Sequence, residues 1–189
     1  MRRAVTAALL AATLLSAPAA HADDIADAIS EAKSAYDGGD LAKAKEALDL
    51  ATQLVAQKQA EALSKLLPEP PSGWTAEAVD ATGAAGGFLG GGLIIKRSYT
   101  KGDKDVTLQF TSNSPLLGTL APLFSNVQLL GGMGKVFRQK GRVAVLTSES
   151  EIQMVLGKTY VTITGSGAEA DKRAILDLVD LGAVEAFAK

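Results

Sequence analysis

The stretch KVFRQKGRVAVLTSESEIQMVLGKTYVTIT, residues 135–164, decides the fold. Within it, four short runs suggest strands, Lys135–Gln139, Arg142–Ser148, Glu151–Leu156 and Thr159–Thr164. The joints are Lys140-Gly141, Glu149-Ser150 and Gly157-Lys158. Connections this short admit only antiparallel neighbours, because a parallel pair needs a crossover of about a dozen residues. The segment is therefore expected to be a four-strand meander.

Upstream, Leu93–Thr100 and Asp105–Ser112 predict two further strands around a turn at Lys101–Lys104, with Val106, Leu108 and Phe110 alternating against Thr107, Gln109 and Thr111. Between the two strand groups lies PLLGTLAPLFSNVQLLGGM, residues 115–133, without a single charge. One reading is a buried or half-buried crossover helix interrupted by Pro122. The other is an apolar flap that lines a pocket or faces a partner. Downstream, Ser166 and Glu169 are spaced as a capping box, and Ile175, Leu178, Val179 and Phe187 predict the inner face of one last helix lying across the sheet.

The N-terminal part reads differently. Pro68-Glu69-Pro70-Pro71-Ser72-Gly73 favours a stiff extended connector, and the only tryptophan, Trp74, follows it as the plug of a core edge, opening a candidate first strand to Val79. Before the prolines, residues 23–67 predict two helices. Ile25, Ala28, Ile29, Ala32 and Tyr36 form one apolar stripe with Asp23, Asp24 and Asp27 at its positive end. Gly38-Gly39 closes that helix and Asp40 caps the next, whose inner side is expected to carry Leu41, Ala44, Leu48, Ala51, Val55, Leu63, Leu66 and Leu67.

At the extreme N-terminus, Arg2-Arg3, the uncharged apolar run Ala4–Leu15 and Ala20-His21-Ala22 have the three parts of a secretory signal, cleaved after Ala22. The expected organisation is a signal peptide at 1–22, a helical hairpin at 23–67, a linker at 68–73 and an α+β domain at 74–189. That is an α+β chain: a two-helix hairpin, then a twisted, mainly antiparallel sheet packed with a crossover helix and a C-terminal helix. The whole chain carries 19 basic and 21 acidic residues. Removing Arg2 and Arg3 with the signal leaves 17 basic against 21 acidic, a net charge of −4. Such a surface does not attract nucleic acid, and no later segment is apolar for the roughly 20 residues that a membrane helix needs. Oligomeric state is left open.

The chain has no cysteine and its single histidine is His21, inside the signal. A mature chain without imidazole or thiol has no Ser-His-Asp or Cys-His system and no zinc site built on nitrogen or sulfur. The glycine-rich run GAAGGFLGGG, residues 83–92, lacks both the Gly-Lys-Ser/Thr ending and the GxGxxG spacing of phosphate loops. No cofactor, metal or catalytic residue is expected. Paired acids at Glu149 and Glu151, or at Asp103 and Asp105, keep a carboxylate hydrolase or a hard-cation site as a remote alternative.

Two resemblances add to this reading. The pattern Ala32-x3-Tyr36-x2-Gly39-Asp40-x3-Ala44-x3-Leu48-x2-Ala51 resembles a single tetratricopeptide hairpin over about 30 residues. The layout of residues 73–189 resembles small exported modules of the PsbP/Mog1 type, which implies an accessory or binding role and transfers no site residue. The expectation is an exported, non-enzymatic protein of the bacterial periplasm, reached by the general secretory route, that docks a protein partner. The alternative is a carrier of a lipid or other apolar ligand. Candidate contact residues are Phe88, Leu89, Leu116, Leu120, Leu123 and Phe124; a carrier requires them around a deep pocket, and a docking protein requires them on a flat surface.

Overall fold

The computed structural model describes residues 23–82 and 92–187. Two helices, α1 (Asp24–Asp37) and α2 (Leu41–Ser64), form an antiparallel hairpin. Asp23 caps α1 by accepting from the Ile25 amide, and Asp40 caps α2 by accepting from the Lys43 amide at 3.0 Å. Gly39 makes the turn between them at φ +79°, a conformation that costs other residues dearly.

Next come β1 (Thr75–Ala76), β2 (Asp80–Thr82), β3 (Leu93–Lys101) and β4 (Lys104–Ser112), then the crossover helices α3 (Leu116–Ser125) and α4 (Val127–Gly131). The meander follows as β5 (Gly134–Gln139), β6 (Arg142–Thr147), β7 (Ile152–Leu156) and β8 (Thr159–Thr164), and the chain ends in α5 (Glu169–Leu178) and α6 (Leu181–Phe187). All strands pair antiparallel in one sheet of order β1-β3-β4-β8-β7-β6-β5, with β2 also on β3. The α+β architecture expected from the sequence is present, hairpin first and sheet after.

The joints explain the meander. Lys140 and Gly141 both have positive φ, +46° and +82°, and join β5 to β6 as a two-residue loop of the kind whose twist matches paired strands. At the β6–β7 joint Ser150 takes the left-handed position at φ +61°. Lys172, only 1% exposed, reaches under this turn and donates from Nζ to the Ser150 carbonyl at 2.6 Å. A buried ammonium is costly unless it is bonded, and here it fixes the turn to α5.

Strand register defines two faces. On one, Ile95, Phe110, Val161 and Met154 stand side by side, and Leu108, Ile163, Ile152 and Leu146 form the next row. That face takes Leu63 and Leu67 from the end of α2 together with Ile175, Leu176, Val179, Leu181 and Val184 from α5 and α6, all in one core cluster. On the other face the row Lys96, Gln109, Thr162, Gln153 and Val145 is mostly polar. It is covered where α3 and α4 lie on β5, β6 and β7.

Three local expectations are corrected. Ser166 does not cap the last helix: its hydroxyl pairs with Asp105 across 61 residues, and the helix begins at Glu169, with the Asp171 carboxylate accepting from the Ala168 amide at 3.1 Å. That helix is also two helices, broken where Val179 turns extended, and Leu178 is exposed while Val179 is buried. In the hairpin, the bulky members of the apolar stripe point outward. Ala28, Ala32 and Ala35 of α1 meet Ala44, Ala47 and Ala51 of α2, all buried, while Ile29, Tyr36, Leu41, Leu48 and Val55 are exposed. Small side chains let helix axes approach closely, and larger neighbours are then displaced to the flanks.

Candidate functional site

The charge-free segment forms a helical cover on the polar-facing side of the sheet. Pro122 occupies the seventh position of the ten-residue helix α3, where it can donate no bond to the Gly118 carbonyl, and the helix ends soon after at Ser125. Asn126 then reverses the chain and caps α4, accepting from the Gln128 amide at 3.1 Å. Leu117, Phe124 and Leu130 are buried and fasten the cover down. Phe124 meets Tyr160 edge to face, ring centres 6.2 Å apart and planes at 69°. Burial, with the Glu151 charge nearby, pushes the Tyr160 phenol up to about 12.

Of the candidate contact residues, α3 brings together Leu120, Leu123 and Phe124. Leu120 and Leu123 are half-buried, whereas Phe124 is turned into the sheet. Leu116 begins α3, and its side chain lies outside what is described; Phe88 and Leu89 lie outside the described residues altogether. Two residues not singled out from the sequence, Val127 and Leu129 of α4, stand in solvent at 51% and 53% exposure. The signal was present, two large apolar residues just ahead of a buried Leu130, but a five-residue helix is too short for periodicity to tell inner from outer.

A second apolar surface lies on the hairpin, where Ile29, Tyr36, Leu41 and Leu48 are exposed at 53%, 66%, 66% and 53%. Two concavities among the described residues are open. One, of about 660 Å³, runs along α2 past Glu31, Lys43, Glu46, Leu50 and Gln53. Another, of about 490 Å³, lies between the β5–β6 turn and α6, beside Lys140, Arg142 and Asp180. Neither includes the candidate contact residues.

Two of the four paired acids, Asp105 and Glu151, are hydrogen-bonded to neighbouring residues. Asp105 accepts from both the amide and the hydroxyl of Ser166, and these bonds hold its carboxyl below the usual carboxylate range. Glu151 accepts from Gln153 at 3.0 Å, and Glu149 is exposed at the β6–β7 joint. Among the described residues no three His, Cys, Asp or Glu side chains converge as metal ligands, and no helix is long and apolar enough to cross a membrane.

One more cluster ties the parts together. Arg97 sits at a core-facing position of β3, paired opposite Leu108, and its guanidinium leaves the sheet toward the proline segment. It donates to the carbonyls of Pro68 at 3.0 Å and Glu77 at 3.1 Å and forks onto the Glu69 carboxylate. The Tyr99 hydroxyl donates to the same Pro68 carbonyl at 2.8 Å, and burial pushes that phenol up to about 12. Comparison of the chain with family models, curated proteins and solved structures finds no match.

Proposed function

We propose that the chain is an exported, non-enzymatic binding protein of the bacterial periplasm that docks a protein partner on the α3–α4 cover. The observation that carries this reading is the placement of Val127 and Leu129 in solvent on a helix whose Leu130 is fully buried, with Leu120 and Leu123 half-buried on the helix before it. Apolar side chains held out on a ridge offer a surface to another macromolecule. A lipid carrier needs them turned around a cavity instead. Export rests on the signal-like residues 1–22, and the absence of Cys, and of His beyond residue 21, supports a binding role.

Photocrosslinking in the periplasm tests it. With a photoreactive side chain at Leu129, the expected product is an adduct of discrete mass containing one other protein, lost when Val127 and Leu120 are changed to Lys. A lipid-sized mass retained in native mass spectrometry, without a protein adduct, overturns the docking reading in favour of the carrier.

A further inference from the structure

The exposed face of the α1–α2 hairpin has a geometry that goes beyond partner docking on α3–α4 and stands on different residues. At about 100° per residue, Ile29 and Tyr36 lie about 90° around α1 from the buried row Ala28, Ala32 and Ala35. By the same measure Leu41 and Leu48 lie about 75° around α2 from Ala44, Ala47 and Ala51. Both displacements run in the same sense along the chain, and the two helices run in opposite directions. The four large side chains therefore fall on one flank of the hairpin. The opposite flank is mixed: it exposes Leu50, at 46%, beside the ion pair of Lys43 with Glu31 at 3.3 Å.

Within each helix the two positions are seven residues apart. That is the spacing at which one helix seats side chains against a neighbouring helix over successive turns. The border of this flank is neutral: Lys33 is paired with Asp37 and Lys45 with Asp49, each at 2.5 Å. A surface of this kind can meet its own copy without setting like charges against each other.

The area is of the right size for a pair. Four large side chains exposed by half to two-thirds, with Val55 at 40%, leave on the order of 500 Å² of apolar surface per chain. Two such faces together remove about 1,000 Å², the lower limit for a specific interface before any polar rim is counted. A second copy also answers a weakness in the fold. Helix α1 spans only 14 residues and buries only alanines against α2, and short helices with so little burial are marginal in water.

We infer that the hairpin is a self-association device: two copies of this chain join through Ile29, Tyr36, Leu41 and Leu48 to form a symmetric four-helix bundle, leaving both α3–α4 covers free. Sedimentation equilibrium on the full chain purified from the periplasm is the test. The expected result is a monomer–dimer equilibrium whose dissociation constant rises roughly thirtyfold or more with Leu48→Glu, as for a central contact residue. A monomeric mass at every concentration overturns the proposal, and so does a dimer that Tyr36→Glu and Leu48→Glu together leave intact. Because those variants can also loosen the hairpin, a spin label at Thr52→Cys, the sole thiol in a chain without cysteine, supplies an independent reading. Dipolar coupling between labels is expected in the unaltered face, and its absence at high concentration refutes the pairing.

Discussion

Arg97 forks onto Glu69 at 2.9 and 3.2 Å, and through this fork β3 holds the segment that leaves the hairpin. The same guanidinium also donates to the Pro68 carbonyl, which accepts from Tyr99 as well. The carbonyls of this extended segment lack the partners that a helix or ladder would give them. Here side chains of β3 supply those partners, so the proline segment is bonded to the sheet along its first two residues. Leu63 and Leu67, just before it, lie in the same core as Ile95 and Tyr99.

Replacing Arg97 by Met keeps the stem and removes the fork. Its side chain is only 14% exposed and makes four hydrogen bonds, so the loss removes a shared partner of the Pro68 carbonyl, which keeps Tyr99, and the partner of the Glu77 carbonyl, and is expected to lower stability by about 1–2 kcal/mol. Glu69, 84% exposed, returns to water at little cost, so Glu69→Gln should have a much smaller effect. Urea midpoints of the two variants check the asymmetry, and equal losses would show that the ion pair, not the carbonyl bonds, holds the segment.

The alanine contact of the hairpin makes an opposite pair of predictions. Ala32 is 4% exposed where α1 meets α2, so Ala32→Leu forces the helices apart and should cost about 1–3 kcal/mol, as overpacking does. Leu48→Ala removes a side chain that is 53% exposed and should leave the monomer's stability almost unchanged. Helical circular dichroism during thermal melting, followed at low concentration, reads both.

These contrasts mark the limits of what the sequence discloses. The strands of residues 135–164 were legible because short apolar-rich runs and two-residue joints such as Lys140-Gly141 are local, and the structure keeps their ends within a residue or so. The hairpin's helices and caps at Asp23 and Asp40 were legible for the same reason. Which flank of the apolar stripe would be buried was not, since Ala32 and Tyr36 lie on one stripe and only the partner helix chooses between them. Ser166 carries a capping signal that a non-local bond to Asp105 overrides. The roles of Arg97 and Lys172 depend on carbonyls 29 and 22 residues away, and no spacing rule reaches that far. At the candidate site, the charge-free composition of 115–133 flagged the cover, but not the inward turn of Phe124 or the outward turn of Leu129.

Acid should loosen the junction between β4 and α5. The Asp105 carboxyl is held below its usual value by the Ser166 hydroxyl and amide. A carboxyl depressed in the folded state contributes stability that is present above its unfolded value of about 4 and is lost as pH falls through the lower folded value. Ser166→Ala weakens the cause of the depression, so the variant should be less stable than the parent at neutral pH and should converge with it toward pH 3. Denaturant midpoints across that range measure the convergence, and parallel curves would deny Asp105 its part.

Phe124 and Leu120 lie four residues apart on α3, one buried at 8% exposure and the other half-buried, and that difference separates holding the cover from using it. Phe124→Ala opens a cavity against Tyr160 and is expected to cost about 3 kcal/mol, with amide exchange quickening across α3 and α4. Any loss of partner binding in that variant follows from detachment of the cover. Leu120→Lys leaves Phe124 and Leu130 seated and should change stability by less than about 1 kcal/mol. Binding should nevertheless fall, because a desolvated ammonium at an apolar contact is poorly tolerated. If Leu120→Lys binds its periplasmic partner as well as the parent while Phe124→Ala does not, then α3 acts only as a lid over the sheet, and the docking surface is confined to Val127 and Leu129.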